Sequence, residues 1–147
     1  MPKIARIVCF LIALSCIGWL GVAQAEVTLT EAWVRASNPG QSVGAAYLTL
    51  RSAQAVTLVY VETERAGAVE MHSMTMQNGV MKMRSLEELA IPANKPVTLA
   101  PGGLHLMLFE LASPFKVGEQ VKFRLCFKDQ QGKIAEQFIT MPVKTAP

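Results

Sequence analysis

After residue 26 the chain is divided into short segments by turn-forming residues, and this spacing limits its fold more than any other feature. The segments alternate apolar and polar residues or are rich in β-branched residues, which is typical of strands. Predicted strands cover residues 27–34, 45–51, 57–63, 68–71, 81–84, 97–99, 104–110, 121–127 and 134–143. Asn78-Gly79 is the clearest two-residue hairpin turn, because both residues tolerate positive φ. Strands at this even spacing predict an all-β protein, an antiparallel β-sandwich or barrel.

Length and charge exclude several classes of protein. The 147 residues are enough for one compact domain. With 51% hydrophobic and 17% charged residues, the chain is not of the disordered, highly charged kind. Lys3 and Arg6 are the only charged residues among the first 25, so the remainder has 12 basic and 11 acidic residues. Such a nearly neutral remainder has no electrostatic footprint for nucleic acid or anionic lipid, and we expect no nucleic-acid partner.

The first 25 residues have the layout of a cleavable secretory signal. Lys3 and Arg6 precede an uncharged apolar stretch that ends in the small residues of Ala23-Gln24-Ala25. We expect cleavage after Ala25, export to the periplasm, and one domain over residues 26–147 without stable membrane insertion. The alternatives are an uncleaved membrane anchor, because the uncharged run nearly reaches spanning length, and a lipoprotein signal ending at Cys16.

Cysteine usage leaves one thiol in the exported domain. Cys9 and Cys16 belong to the signal, so Cys126 has no partner for an intramolecular disulfide. The alternation of residues 121–127 places Cys126 on the face opposite Phe123 and Leu125. We therefore expect it to be partly exposed or covered by another element, and a metal-binding role for it stays open.

Both histidines of the chain lie next to methionines in the sequence. Five methionines surround His72 within 13 residues, namely Met71, Met74, Met76, Met81 and Met83. Strand alternation over residues 104–108 places three leucines on one face and His105 with Met107 on the other. The Asn78-Gly79 hairpin returns Met81 and Met83 towards His72. These residues therefore converge on one region of the predicted fold.

Thioether and imidazole ligands together favour monovalent copper. Thioethers bind soft cations, whereas zinc sites use Cys, His and carboxylates and calcium or magnesium sites use oxygen ligands. The alternatives to a metal-binding role are that the methionines fill the core or form an adaptable protein-binding surface. For Met74 and Met76, core filler, loop residue and secondary metal contact all remain open.

The spacing of four of these residues resembles a known pattern. His72, Met83, His105 and Met107 match the H-x10-M-x21-H-x-M pattern of the periplasmic PCuAC-type copper chaperones. Four further segments also resemble that family, namely Trp33-Val34-Arg35, the strand at 44–50, and the segments at 79–84 and 101–108.

The resemblance implies a cupredoxin-like β-barrel that binds one Cu(I) per chain through His72, Met83, His105 and Met107. It implies a monomeric chaperone that supplies the copper A centre of cytochrome c oxidase, with oxidase subunit II or a thioredoxin-like copper-insertion protein as the copper-accepting partner. Two departures are notable. The tail at 140–147 offers only Met141, which argues against a second, divalent copper site, and Met71 directly precedes His72 and could replace it if the strand turned over.

Other functions remain as alternatives. An exported β-sandwich for adhesion or assembly would use the methionines as a docking surface. A cupredoxin electron carrier would need a Cys thiolate with two His and an axial Met, yet no His closely follows Cys126. An enzyme is the least supported class, since the sequence has no Ser-His-Asp-like set, no close acid pair and no phosphate-loop spacing.

Overall fold

Residues 26–147 fold into strands joined by turns. The structure is a computed structural model that describes these residues, and the predicted signal at 1–25 lies outside them. The ten strands are β1 (Val27–Arg35), β2 (Val43–Ser52), β3 (Val56–Glu62), β4 (Ala66–Gln77), β5 (Val80–Leu86), β6 (Leu89–Ile91), β7 (Val97–Thr98), β8 (His105–Leu111), β9 (Gln120–Lys128) and β10 (Ile134–Lys144). Between residues 26 and 147 there is no helix that could cross a membrane.

The strands form one continuous run in the order β5-β4-β8-β2-β1-β10-β9-β3-β6, with β7 beside β2. Neighbouring strands are antiparallel except β1 and β10, which pair in parallel and join the two halves of the run. Over the described residues the run does not close, because β5 and β6 are its two ends. The all-β expectation is confirmed, and the architecture is the sandwich rather than a closed barrel.

The core lies between the two halves of the run. Alternating residues of β2 and β8 meet those of β9 and β3, as strand pleating requires. The fully buried side chains include Leu48, Leu50, Leu58, Leu106, Leu108, Phe115, Phe123, Leu125, Phe127 and Met141. The inward alternation predicted for β8 and β9 is therefore observed.

Two strand predictions are corrected. β4 was expected at 68–71 but extends over Ala66–Gln77, and the short strand β6 was not predicted. The missed end of β4 carries Met74 and Met76 and is fixed by pairing with β5 rather than by burial, since Thr75, Met76 and Gln77 are exposed. Propensity and hydrophobic pattern give little signal for a segment that has no buried face.

The Asn78-Gly79 hairpin is confirmed. Both residues have positive φ, 50° and 76°, and they join β4 to β5. Every residue of β5 before Leu86 is exposed, on both faces of the strand. The outer part of this hairpin therefore extends beyond the core.

Candidate metal centre

Three adjacent strands bring the four predicted ligands to one face of the sheet. His72 of β4 lies directly opposite His105 of β8, and Met74 of β4 lies opposite Met83 of β5. Met107, two residues after His105, lies opposite Glu70, two residues before His72. Directly opposed residues share a side, as do residues two apart on one strand. The side chains of all four predicted ligands therefore lie on the face that points away from the core.

The two histidine rings are close and covered. Their centroids are 5.7 Å apart with an interplanar angle of 51°, and the residues are only 9% and 7% exposed. The Phe109 ring, 6.1 Å from that of His72, belongs to the same surface. The sequence predicted this face to be opposite the leucines, and Leu106 and Leu108 are indeed fully buried.

In each histidine one ring nitrogen donates a hydrogen bond, and the other keeps a lone pair that can bind a ligand. The Nε2–H of His72 donates to the Glu70 carboxylate at 2.8 Å, while its Nδ1 is buried and has no partner among the described residues. The Nδ1–H of His105 donates to the Gly103 carbonyl at 2.9 Å. We assign the tautomers from these bonds. The remaining lone pairs are on Nδ1 of His72 and Nε2 of His105, an arrangement that metal-binding histidines use.

The two predicted methionine ligands differ in their surroundings. Met83 is 45% exposed on the edge strand β5. Met107 is half-buried between Glu70 and Ala45, and it lines a cavity of about 370 Å³ with Arg35 and Gln41. The face is thus open at Met83 and deeper at Met107. The thioether sulfurs of both methionines carry no charge. The negative charge beside the histidines comes from the Glu70 carboxylate, which is bonded to His72.

Hard-metal ligand sets are absent from this region. Within residues 26–147 there is no group of three or more His, Cys, Asp or Glu residues that could hold a metal ion. Apart from the Glu70 carboxylate, which is bonded to His72, the donors of this face are imidazole nitrogens and thioether sulfurs, which suit soft cations.

The sequence left open the roles of two further residues, Met71 and Cys126. Met71 lies in the core opposite Leu106, 6% exposed, so this structure keeps it on the other side of β4 from His72. Cys126 is covered, 7% exposed, between Tyr60 and Glu136 on the outer side of β9. It is in the opposite half of the run from the histidines.

Glu70 is a residue that sequence reasoning missed. Its position two residues before His72 on a strand places both on one face, and that spacing was available as a signal. The strand predicted at 68–71 ended before His72, so the alternation that places Glu70 and His72 on one face was not recognised.

The fold and this face define a cupredoxin-like β-sandwich of the PCuAC type. The family described as "Putative lipoprotein LpqE-like" matches residues 27–141. The chain therefore belongs to this LpqE-like family, and the resemblance found in the sequence is confirmed.

Solved structures and a curated relative agree with this assignment. The solution structure of CuI-DR1885 from Deinococcus radiodurans is 36% identical, covers 84% of this chain and 82% of its own, and has a TM-score of 0.59. The copper-bound PCuAC domain from PmoF2 shares the fold at 19% identity, covers 84% and 99% of the two chains, and has a TM-score of 0.66. "Putative lipoprotein Lxx21020" of Leifsonia xyli subsp. xyli is 28% identical over 104 residues, which is 70% of this chain. The match spans 63% of that relative, less than two thirds of its length.

Proposed function

We propose that this protein is an exported copper chaperone that binds one Cu(I) through His72, Met83, His105 and Met107. It acts as a carrier and not as an enzyme. The observation that supports this most is the convergence of these four residues on one face of β5, β4 and β8. The copper-bound state named for two of its structural neighbours supports the choice of metal.

The donor set explains the preference for monovalent copper. Two neutral imidazoles and two thioethers add no negative charge, so a singly charged ion leaves less charge uncompensated than a divalent ion does. The buried Nδ1 of His72 has no partner among the described residues, and an ion bound there would satisfy it.

The open side of the site suits transfer to another protein. Met83 is the most exposed of the four residues, so an acceptor's ligand can replace its sulfur first while the histidines still hold the ion. For the recipient we propose the copper A centre of cytochrome c oxidase, reached through oxidase subunit II or a thioredoxin-like copper-insertion protein in the periplasm.

The proposal is tested by anaerobic titration with Cu(I) against a chromophoric competitor, together with metal analysis. We expect one tightly held equivalent. Replacing a ligand, as in Met83→Leu or His105→Ala, should weaken binding by more than the roughly 10–100-fold that loss of an outer-sphere partner costs.

Met141→Leu is the matched control, because Met141 is a fully buried methionine of β10 that belongs to the core. It should bind copper as the wild-type protein does. Wild-type affinity in both Met83→Leu and His105→Ala would refute the ligand assignment. Absence of competitive binding by the folded wild-type protein would refute the chaperone function and favour a protein-docking role for the methionine face.

A further inference from the structure

The outward face of the β4–β5 hairpin carries three methionines that the proposed copper site does not use. Met76 lies directly opposite Met81, and Met74 lies opposite the proposed ligand Met83. Residues two apart on a strand share a side, so these four thioethers form a two-by-two group on the face that also carries His72. We refer to Met74, Met76 and Met81 as the hairpin methionines.

Packing does not account for the hairpin methionines. Met76 is 63% exposed and Met81 is 47% exposed, while Met74 is half-buried. A methionine that fills a core is buried, as Met71 and Met141 are in this protein. Exposed methionines at consecutive same-face positions therefore need another explanation, and their exposure leaves their sulfurs accessible to a ligand.

The geometry of the pairs allows three sulfurs to meet at one ion. Directly opposed residues in an antiparallel pair have Cβ atoms about 4.5–5.5 Å apart. Each methionine adds three rotatable bonds and a polarisable sulfur beyond its Cβ. The side chains can therefore close around a small cation with no change in the backbone of the hairpin.

The charges of the hairpin select against hard or divalent cations. Lys82 and Arg84 lie opposite Thr75 and Ser73, on the other face of the hairpin, and the methionine face carries no charged residue between positions 73 and 84. With only neutral sulfur donors and two positive side chains nearby, a soft monovalent ion is the cation that fits.

We infer that the hairpin methionines form a second, weaker subsite for monovalent copper, from which the ion passes to the His72–His105 site. Met83 adjoins both, because it lies opposite Met74 and on the diagonal from His72. An ion held at the hairpin is thus one side chain away from the histidines, and loading of the tighter site is faster than capture from solution alone. The loading role rests on the proposed function, whereas the existence of the subsite does not.

The test uses purified protein carrying ¹³C-methyl-labelled methionines, titrated with silver(I) alone as a redox-inert soft probe. The first equivalent should shift the methyl signals of Met83 and Met107, and the second those of Met74, Met76 and Met81. The triple variant Met74→Leu/Met76→Leu/Met81→Leu should keep the first equivalent and lose the second. Its rate of loading with Cu(I), followed by stopped flow, should fall.

Met71→Leu is the matched control, since Met71 is on the same strand but faces the core, and it should keep both equivalents and the wild-type loading rate. Retention of the second equivalent by the triple variant would overturn the subsite, and an unchanged loading rate would overturn its role in loading. Failure of the proposed function gives a different result, in which the Met107 methyl does not shift at the first equivalent while the hairpin methyls still respond.

Discussion

At the scale of single residues, the His72–Glu70 pair determines which nitrogen faces a ligand. The carboxylate accepts from Nε2, so the lone pair is on Nδ1, which is buried and has no partner among the described residues. A buried polar atom without a partner costs about 1–3 kcal/mol. Binding of an ion at Nδ1 removes that cost, and so the residue is prepared for a ligand before the ligand arrives.

Replacing Glu70 should weaken metal binding without removing a ligand. In Glu70→Ala the His72 ring loses its orientation and its fixed tautomer, and we expect Cu(I) affinity to fall about 10–100-fold, as for other outer-sphere partners. Glu70→Gln keeps an acceptor oxygen and should recover much of the affinity. Competition titration measures both variants.

The control for this prediction is Glu88→Ala, which removes a carboxylate that pairs instead with Lys128 of β9. It should bind copper normally. Equal affinities for Glu70→Ala and the wild-type protein would show that Glu70 does not position His72.

At the scale of elements, the β4–β5 hairpin differs from every strand pair of the core. β5 has one neighbour in the run and exposes both faces, so it is held by hydrogen bonds to β4 and by its turn, with little apolar burial. Segments of this kind open at low free energy. The element that carries Met83 is therefore expected to open more easily than the strands of the core.

Hydrogen exchange should show this difference. Amides of β5 are expected to exchange faster than those of β8 and β9, whose side chains fill the core. They should slow when Cu(I) is bound, because in the proposed site the ion would link Met83 to the histidines. Exchange measured by mass spectrometry with and without copper tests this. Protection of metal-free β5 equal to that of β8 would contradict it.

The same element shows where sequence reasoning succeeded and where it stopped. Alternation and turn chemistry predicted β8, β9 and the Asn78-Gly79 turn, because each depends on a buried face or on a backbone conformation that few residues accept. The outer half of β4 is held by pairing with β5 and the strand β6 by pairing with β3, and the pattern within each segment does not encode such pairing. The burial of His72 and His105 on an outer face likewise depends on the neighbouring strands and is not encoded in the local pattern.

At the scale of the whole molecule, an ion network stabilises the half of the run that lacks the histidines. Arg124 of β9 pairs with Glu62 of β3 and with Glu136 of β10, at 2.6 and 2.7 Å. The hydrogen bond from Arg124 is the main cause that holds the pKa of Glu62 below its usual value, against a smaller opposing effect of desolvation. Three neighbouring strands are thus linked by one guanidinium.

This network should make part of the stability depend on pH. A carboxyl whose pKa is lowered by folding contributes stability above its unfolded pKa of about 4.3, and that contribution is lost as the pH falls through the lower folded pKa. Arg124→Gln should therefore be less stable than the wild-type protein at pH 7, with the difference shrinking towards pH 3. Urea unfolding at both pH values measures it.

Arg51→Gln, on an exposed position of β2, serves as the control and should leave the pH dependence unchanged. Copper affinity at pH 7 should be the same in Arg124→Gln and the wild-type protein, because the network and the His72–His105 pair are on different halves of the run. A difference in stability that stays constant from pH 7 to pH 3 would contradict the role of Glu62.

Cys126 lies beside this network, and burial raises the pKa of its thiol, with the nearby carboxylates of Glu136 and Glu62 adding to the effect and Arg124 opposing it. A thiolate binds copper more strongly than imidazole or thioether does, and an accessible one reacts with oxidants and with other thiols. A covered and protonated sulfur does neither. Under the proposed function, a carrier that keeps this thiol covered and protonated neither retains the ion that it is to deliver nor cross-links to a second copy after export.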